Sequence, residues 1–205
     1  IDVIADTPGS INISSNVAEA VWQEESNLEF YWSQAAGGNF YPVAGYYYGL
    51  DNSPATQAHA LMLSTIATEA DFEIEDSGHY YFHVAARNTI GTFGPTAHYH
   101  VQYNHKPTDP TAPMYVNGVD SVFNEIRVGL NQVANLAWTQ AIDQDINDVV
   151  FYILEIATDD NFAEEEIIYT SSQFNEPNYT LNVIDLNASG QVYWRITALD
   201  QHQEA

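Results

Sequence analysis

Three groups of side chains in this 205-residue chain have the types and spacing to do chemistry. The first is the run Asp143-Gln-Asp-Ile-Asn-Asp148, where Asp143, Asp145, Asn147 and Asp148 offer oxygen ligands to a hard cation such as calcium. The run opens like an EF-hand loop and then departs from it, with Asp148 in place of glycine at the sixth position and Leu154 in place of glutamate at the twelfth. What remains is a non-EF calcium loop, or a tight turn of the kind Asp and Asn build by bonding their own backbone. The second group is His83, His98 and His100. With Phe82, Val84, Tyr99 and Val101 facing inward, strand alternation points all three imidazoles outward on neighbouring strands. A zinc or copper ion takes three or four such ligands; an ordinary polar outer face is the other reading. The third group is aromatic: Tyr41, Tyr46, Tyr47, Tyr48, Tyr81 and Tyr99. Alternation buries Tyr46 and Tyr48 and leaves Tyr47 and Tyr81 on the opposite face. There they form either a platform for a sugar or protein partner or plain cross-strand pairs.

Signals for catalysis are missing. The chain has no cysteine, no Gly-x-Ser-x-Gly elbow, no phosphate-cradling glycine loop and no His-Glu-x-x-His. Glu164, Glu165 and Glu166, beside Asp159 and Asp160, read as a solvated strand edge. Asn12-Ile-Ser14, Asn178-Tyr-Thr180 and Asn187-Ala-Ser189 have the form of glycosylation sequons, meaningful only in a eukaryotic secretory host. No cofactor is expected apart from calcium at the aspartate run.

The elements that position these residues occur twice. Tyr80, Phe82, Val84 and Ala86 match Val192, Trp194, Ile196 and Ala198 at a shift of 112 positions, each set following a turn glycine, Gly78 or Gly190. At a shift of 106 positions, Phe30 and Trp32 match Leu136 and Trp138, and Tyr46, Tyr48 and Leu50 match Tyr152, Leu154 and Ile156. A repeat of that length is a whole β-sandwich domain. Alternating segments rich in Val, Ile, Tyr, Phe and Trp recur between turn residues, with no apolar stripe of helical period. Strands are expected near 10–14, 27–32, 43–50, 71–75, 78–88 and 96–103, and again near 112–117, 133–138, 149–158, 166–170, 178–183 and 191–199. Between the copies, Asn104 to Pro113 carries three prolines, which withhold donors and stiffen the segment. The expected organisation is a tail of a preceding module or linker over 1–8, a sandwich over 9–104, a Pro-rich linker over 105–113 and a second sandwich over 114–205. The second copy has no counterpart of 96–103, so it is expected to lack its last strand.

Composition bounds the rest. The hydrophobic content of 45% and aromatic content of 13% suffice for two cores of about 100 residues each. With 28 Asp and Glu against 4 Lys and Arg, the formal net charge is -24. Such a surface repels nucleic-acid phosphates and anionic lipid heads, and fits either a saline medium or simple solubility. No apolar run reaches the roughly 20 residues of a membrane span. The absence of cysteine fits a reducing compartment or a secreted domain without disulfides.

Leu136-Ala-Trp138, Tyr152 to Phe162 and Tyr193-Trp-Arg-Ile-Thr-Ala198 in the second copy resemble bacterial cell-surface fibronectin type III domains. So do Phe30-Tyr-Trp32, Gly45 to Asp51 and Tyr80 to Asn88 in the first. The resemblance covers almost the whole chain and implies an all-β fold of two consecutive fibronectin type III-like, or Ig-like, antiparallel β-sandwiches. It assigns Trp32 and Trp138 to the tryptophan packed beneath the sheet, and Tyr80 to the tyrosine whose hydroxyl ties down a corner. Val192 departs from that pattern in the second copy. The implied role is a non-catalytic spacer and protein-interaction or adhesion module of a larger extracellular or cell-surface protein, bacterial or archaeal, in contact with neighbouring domains of the same polypeptide. Glycan-contacting accessory modules of a secreted polysaccharide-degrading enzyme, and a periplasmic sensing segment of a receptor, are the alternatives.

Overall fold

The computed structural model describes residues 6–58, 63–112, 114–121, 125–145, 148–188 and 190–202. The chain divides into two compact units, residues 1–104 and 105–205. Each is a two-sheet sandwich, antiparallel throughout except for one short parallel pair in the first.

In the first unit, β1 (Ile13–Ser15), β3 (Asn27–Trp32) and β6 (Glu69–Glu73) form one sheet in the order β1-β3-β6. The second sheet has the order β2-β8-β7-β4-β5, from β2 (Trp22–Gln23), β8 (Ala97–Tyr103), β7 (Gly78–Asn88), β4 (Val43–Asp51) and β5 (Leu63–Thr65). Along β3, Leu28, Phe30 and Trp32 are buried while Asn27, Glu29 and Tyr31 are exposed, the period of two expected where only one face is dry. Phe30 stacks on Phe82 across the sandwich with ring centres 4.2 Å apart and planes 4° from parallel.

In the second unit, β9 (Tyr115–Val116), β10 (Val119–Asp120), β11 (Val133–Ala137) and β14 (Asn178–Asn182) form the sheet β10-β9-β11-β14. Facing it is β13-β12-β15, built from β12 (Phe151–Ala157), β13 (Ile167–Thr170) and β15 (Tyr193–Leu199). Among the described residues nothing pairs with the far edge of β15, whereas its counterpart β7 pairs with β8 along seven residues. Gly78 (φ 151°) opens β7 and Gly190 (φ 115°) lies three residues before β15, both with backbone angles that residues with a Cβ avoid.

Four sequence expectations change. Residues 6–8, expected as a tail or linker, open the first unit: Pro8 is fully buried, Asn88 Nδ2 donates to the Asp6 carbonyl (2.7 Å), and Gly9 N–H donates to Ala36 O (2.8 Å). The proline-rich segment does the same for the second unit, with Pro107 buried and Thr108 N–H donating to Ile142 O (2.9 Å). Glu164–Glu166 is a turn of 3-10 helix, not a strand edge. Finally, β2 and β5 are strands of two or three residues held by pairing with β8 and β4, and β10 closes a two-residue hairpin with β9 across Asn117-Gly118; all three are too short to show alternation.

Candidate functional site

The side chains with chemical potential in the first unit lie on the outer face of its five-stranded sheet. On β7, residues 79, 81 and 83 face away from the core. The register sets His83 opposite His98, Tyr81 opposite His100 and His79 opposite Gln102.

His83, His98 and His100 do not converge as a triad. His83, expected to face solvent, has no exposure at all. Beyond Asp51 the chain turns back over this end of the face: Asn52 Nδ2 donates to His79 O (2.8 Å), Ala58 N–H donates to Thr96 Oγ1 (3.2 Å), and Ala58 is buried. His83 Nε2 lies 3.1 Å from Asp51 Oδ1, and its Nδ1 lies 2.7 Å from His98 Nδ1. Burial pushes the Asp51 carboxyl upward, but hydrogen bonds from Thr56, Ser53 and His83 outweigh it and hold it below the usual carboxylate range. An ionised Asp51 only accepts, so His83 donates to it from Nε2, and the two Nδ1 atoms share one proton.

His100 belongs to a different pair. Its Nε2 is 3.0 Å from His79 Nδ1, and its ring lies between Tyr81 (centroids 4.5 Å, 9° from parallel) and His79 (5.2 Å, 22°). The row continues to Trp22, 5.2 Å from His79. Burial lowers the affinity of both His98 and His100 for a proton, and each imidazole partner, His83 or His79, adds to it. His79 was missed in the sequence, although the alternation that selected His83 also places His79 two steps earlier on the same face.

Tyr47 and Tyr81 share the outer face but not a platform. Tyr47 pairs with Ala85 and Tyr81 with Asp51, so about 13 Å of strand separates them. Tyr47 meets the edge of Phe93 (5.1 Å) beneath the Arg87 guanidinium (5.8 Å), while Tyr81 is stacked on His100.

In the second unit the aspartate run lies against the opening segment and the end of β15. Asp143 Oδ1 accepts the Asp145 N–H (2.9 Å), which is the turn chemistry expected of the run. Asp145 accepts from the His105 N–H (3.1 Å), and its Oδ1 is 3.0 Å from His105 Nδ1. Asp148 accepts from Gln201 Nε2 (2.7 Å) and lies 3.5 Å from His202 Nε2. Asn147 lies outside the described residues. Asp143 Oδ2 is buried without a hydrogen-bond partner. Burial raises the pKa of its carboxyl, and Asp145, Asp200 and Asp148 add to the rise against the opposing backbone bond from Asp145. Asp200, His105 and His202 were not selected from the sequence, since only the fold brings residues so far apart to one loop. Among the described residues, no three His, Asp or Glu side chains converge to enclose a metal ion.

A groove of about 380 Å³ on the second unit is lined by Tyr115, Leu136, Asn178 and Thr180 among others, with no carboxylate or imidazole in its wall. No helix among the described residues is long and apolar enough to cross a membrane.

No protein-family model and no curated protein matches the chain. Among solved structures it is similar to domains A168–A170 of titin, at 19% identity and a TM-score of 0.43, covering 95% of this chain and 61% of that one. It is also similar to the chicken CNTN1 FN1–FN3 domains, at 16% identity and a TM-score of 0.32, with 96% and 62% covered. A third is the central fibronectin-III array of RIM-binding protein, at 10% identity and a TM-score of 0.31, with 96% and 63% covered. The chain thus spans less than two thirds of the length of each of these structures.

Proposed function

We propose that the two fibronectin type III-like sandwiches are non-catalytic spacer and protein-interaction modules of a larger extracellular or cell-surface protein. One observation carries the reading: the side chains able to do chemistry are occupied with one another. His83 is bonded on both ring nitrogens, Asp145 is held by His105, Asp148 by Gln201, and Tyr81 is covered by His100. An acid–base catalyst needs a group within reach of a bound substrate beside a cleft that holds it. The groove on the second unit has no such group in its wall, and a second groove of about 290 Å³ on the first unit carries the carboxylates of Glu29, Asp71 and Glu73 on the exposed face of β3 and β6. The acidic shell keeps the modules apart from anionic surfaces, and neighbouring domains or a protein partner supply their contacts.

The test has two arms. Brief protease treatment of intact source cells should release peptides of this chain; their release only after lysis would overturn the surface assignment. The purified chain should neither hydrolyse chromogenic glycosides nor be retained on insoluble chitin or cellulose. Retention would shift the reading to an accessory module of a polysaccharide-degrading enzyme, and turnover would end it.

A further inference from the structure

Among the described histidines of the first unit, His83 alone is fully buried. It lies under residues 52–58, a segment with no charged side chain. That cover is fastened to the groups it hides. Asp51 Oδ1 accepts the Ser53 N–H (2.8 Å) as well as the bond from His83, and Thr56 bonds the same carboxylate. On the other side Ala58 N–H donates to Thr96 Oγ1, which donates to Gln57 Oε1 (3.2 Å), two residues ahead of His98 in the chain. Asn52 adds its bond to His79 O.

We infer that Asp51, His83 and His98 form an acid-sensitive latch: on mild acidification the two imidazoles take up protons and part, and residues 52–58 lift from the outer face of the first unit. The geometry limits the protons that the closed form can hold. His83 Nε2 carries one for Asp51, and the two Nδ1 atoms, 2.7 Å apart, have room for one between them. His98 is exposed, so its Nε2 takes a third from solvent with the contacts intact. A fourth would set two N–H groups head to head, each on a cation. Parted imidazoles hold all four, each ring with the ordinary value of about 6.5. The open form thus binds more protons than the closed one, and each extra proton raises the open population about tenfold per pH unit of acidification.

The surrounding charges do not relieve the fourth proton. From β4 the pair is faced by Asp51, from β8 by His100 next along the strand, and on β7 by Tyr81 and His79; the cover brings no charge. One carboxylate neutralises one imidazolium, and the second is left uncompensated. Burial, and then His83, also lower the affinity of His98 for a proton. The closed form is therefore at full strength above the ordinary imidazole value of about 6.5 and weakens as the pH falls below it. Asp51, held low, stays ionised through that window. The latch is independent of the spacer reading.

Amide hydrogen exchange of the intact chain, read by mass spectrometry and corrected for the intrinsic effect of pH on exchange, follows residues 52–58 against β12 of the second unit. Between pH 7 and pH 5 the protection of 52–58 should fall reversibly by at least about tenfold, with β12 and the circular dichroism unchanged. His98→Gln, at an exposed position, accepts from a protonated His83 through its amide oxygen and should keep the cover equally protected at both pH values. His100→Gln should respond as the wild type does. His59→Gln, next to the cover and outside the described residues, should do the same. Constant protection in the wild type, equal loss in β12, a full response in His98→Gln, or a response abolished by His59→Gln would each overturn the latch.

Discussion

In the first unit Trp32 meets the ring of Tyr46 edge-on at 5.7 Å and 70°, and the Tyr46 hydroxyl accepts the Ala35 N–H at 3.2 Å. In the second, Trp138 meets Tyr152 at 5.3 Å and 70°, and the Tyr152 hydroxyl accepts the Ala141 N–H at 3.0 Å. Both indole Nε1 atoms are buried without a partner. Outward from this shared centre the units diverge. The first adds the Phe30–Phe82 stack, a pairing strand beside β7, and the bond from the Tyr80 hydroxyl to Asp76 O (2.6 Å). The second has Leu136, Trp194 and Val192 at the positions matching Phe30, Phe82 and Tyr80. The interior repeats because a ring, an indole and a loop N–H must fit one another at close-packed density. The outer faces carry no such constraint, and imidazole pairs arise on one unit and an aspartate loop on the other.

The comparison breaks most visibly at the tryptophans. Trp32→Ala and Trp138→Ala should each cost about 3–5 kcal/mol, confined to the unit that carries the change, as read by denaturant unfolding with one probe per unit. A Trp138→Ala variant that lowered both transitions equally would show that the units do not unfold independently. Tyr46→Phe and Tyr152→Phe come next. Each leaves a buried loop N–H without its acceptor, at about 1–3 kcal/mol, and the two losses should agree within the error of the measurement. Unequal losses would mean that the shared geometry hides different energetics. Tyr80→Phe is smaller, about 0.5–1.5 kcal/mol for one hydrogen bond, and should move the first unit alone, since the second has no tyrosine there to lose.

What the sequence makes legible follows the same division. The limits of β3 agree with the alternation of Asn27–Trp32, because burial on one face writes a period of two into the chain; those of β7 agree with Gly78–Asn88 as well, although Phe82 to Ala86 are buried on both faces. The Trp-to-Tyr spacing is shared because the core demands it, and the Tyr80 corner bond is present as the resemblance implies. The burial of His83 is not legible: alternation gives the face of a sheet but not what folds over it, and the covering turn depends on Asn52 and Ala58 reaching His79 and Thr96. The pairing of His100 with His79 instead of His83 is a diagonal contact, decided by register and ring rotation. Asp200 joins Asp143 only through the path of β15, a long-range relation that no local spacing records.

The smallest expected effect sharpens the contrast between loops. The first unit has no carboxylate from Ala35 to Pro42, while the second sets Asp143, with its Oδ2 buried, near three more. A carboxyl whose pKa is raised by folding holds its proton more tightly in the folded chain. Its ionisation therefore removes stability as the pH rises above the ordinary value of about 3.9. An asparagine in place of Asp143 cannot ionise, keeps an oxygen for the Asp145 N–H, and turns an amide donor toward the position of the orphaned Oδ2. In EDTA, Asp143→Asn should thus melt above the wild type at pH 7, with the gap closing toward pH 3 and the first unit unmoved. A lower melting temperature at pH 7 would show that the charge is compensated. Repeating the pair in millimolar calcium distinguishes the two readings of the run: a loop that holds the ion gains stability in the wild type and loses that gain in the variant, whereas a plain turn leaves the order unchanged.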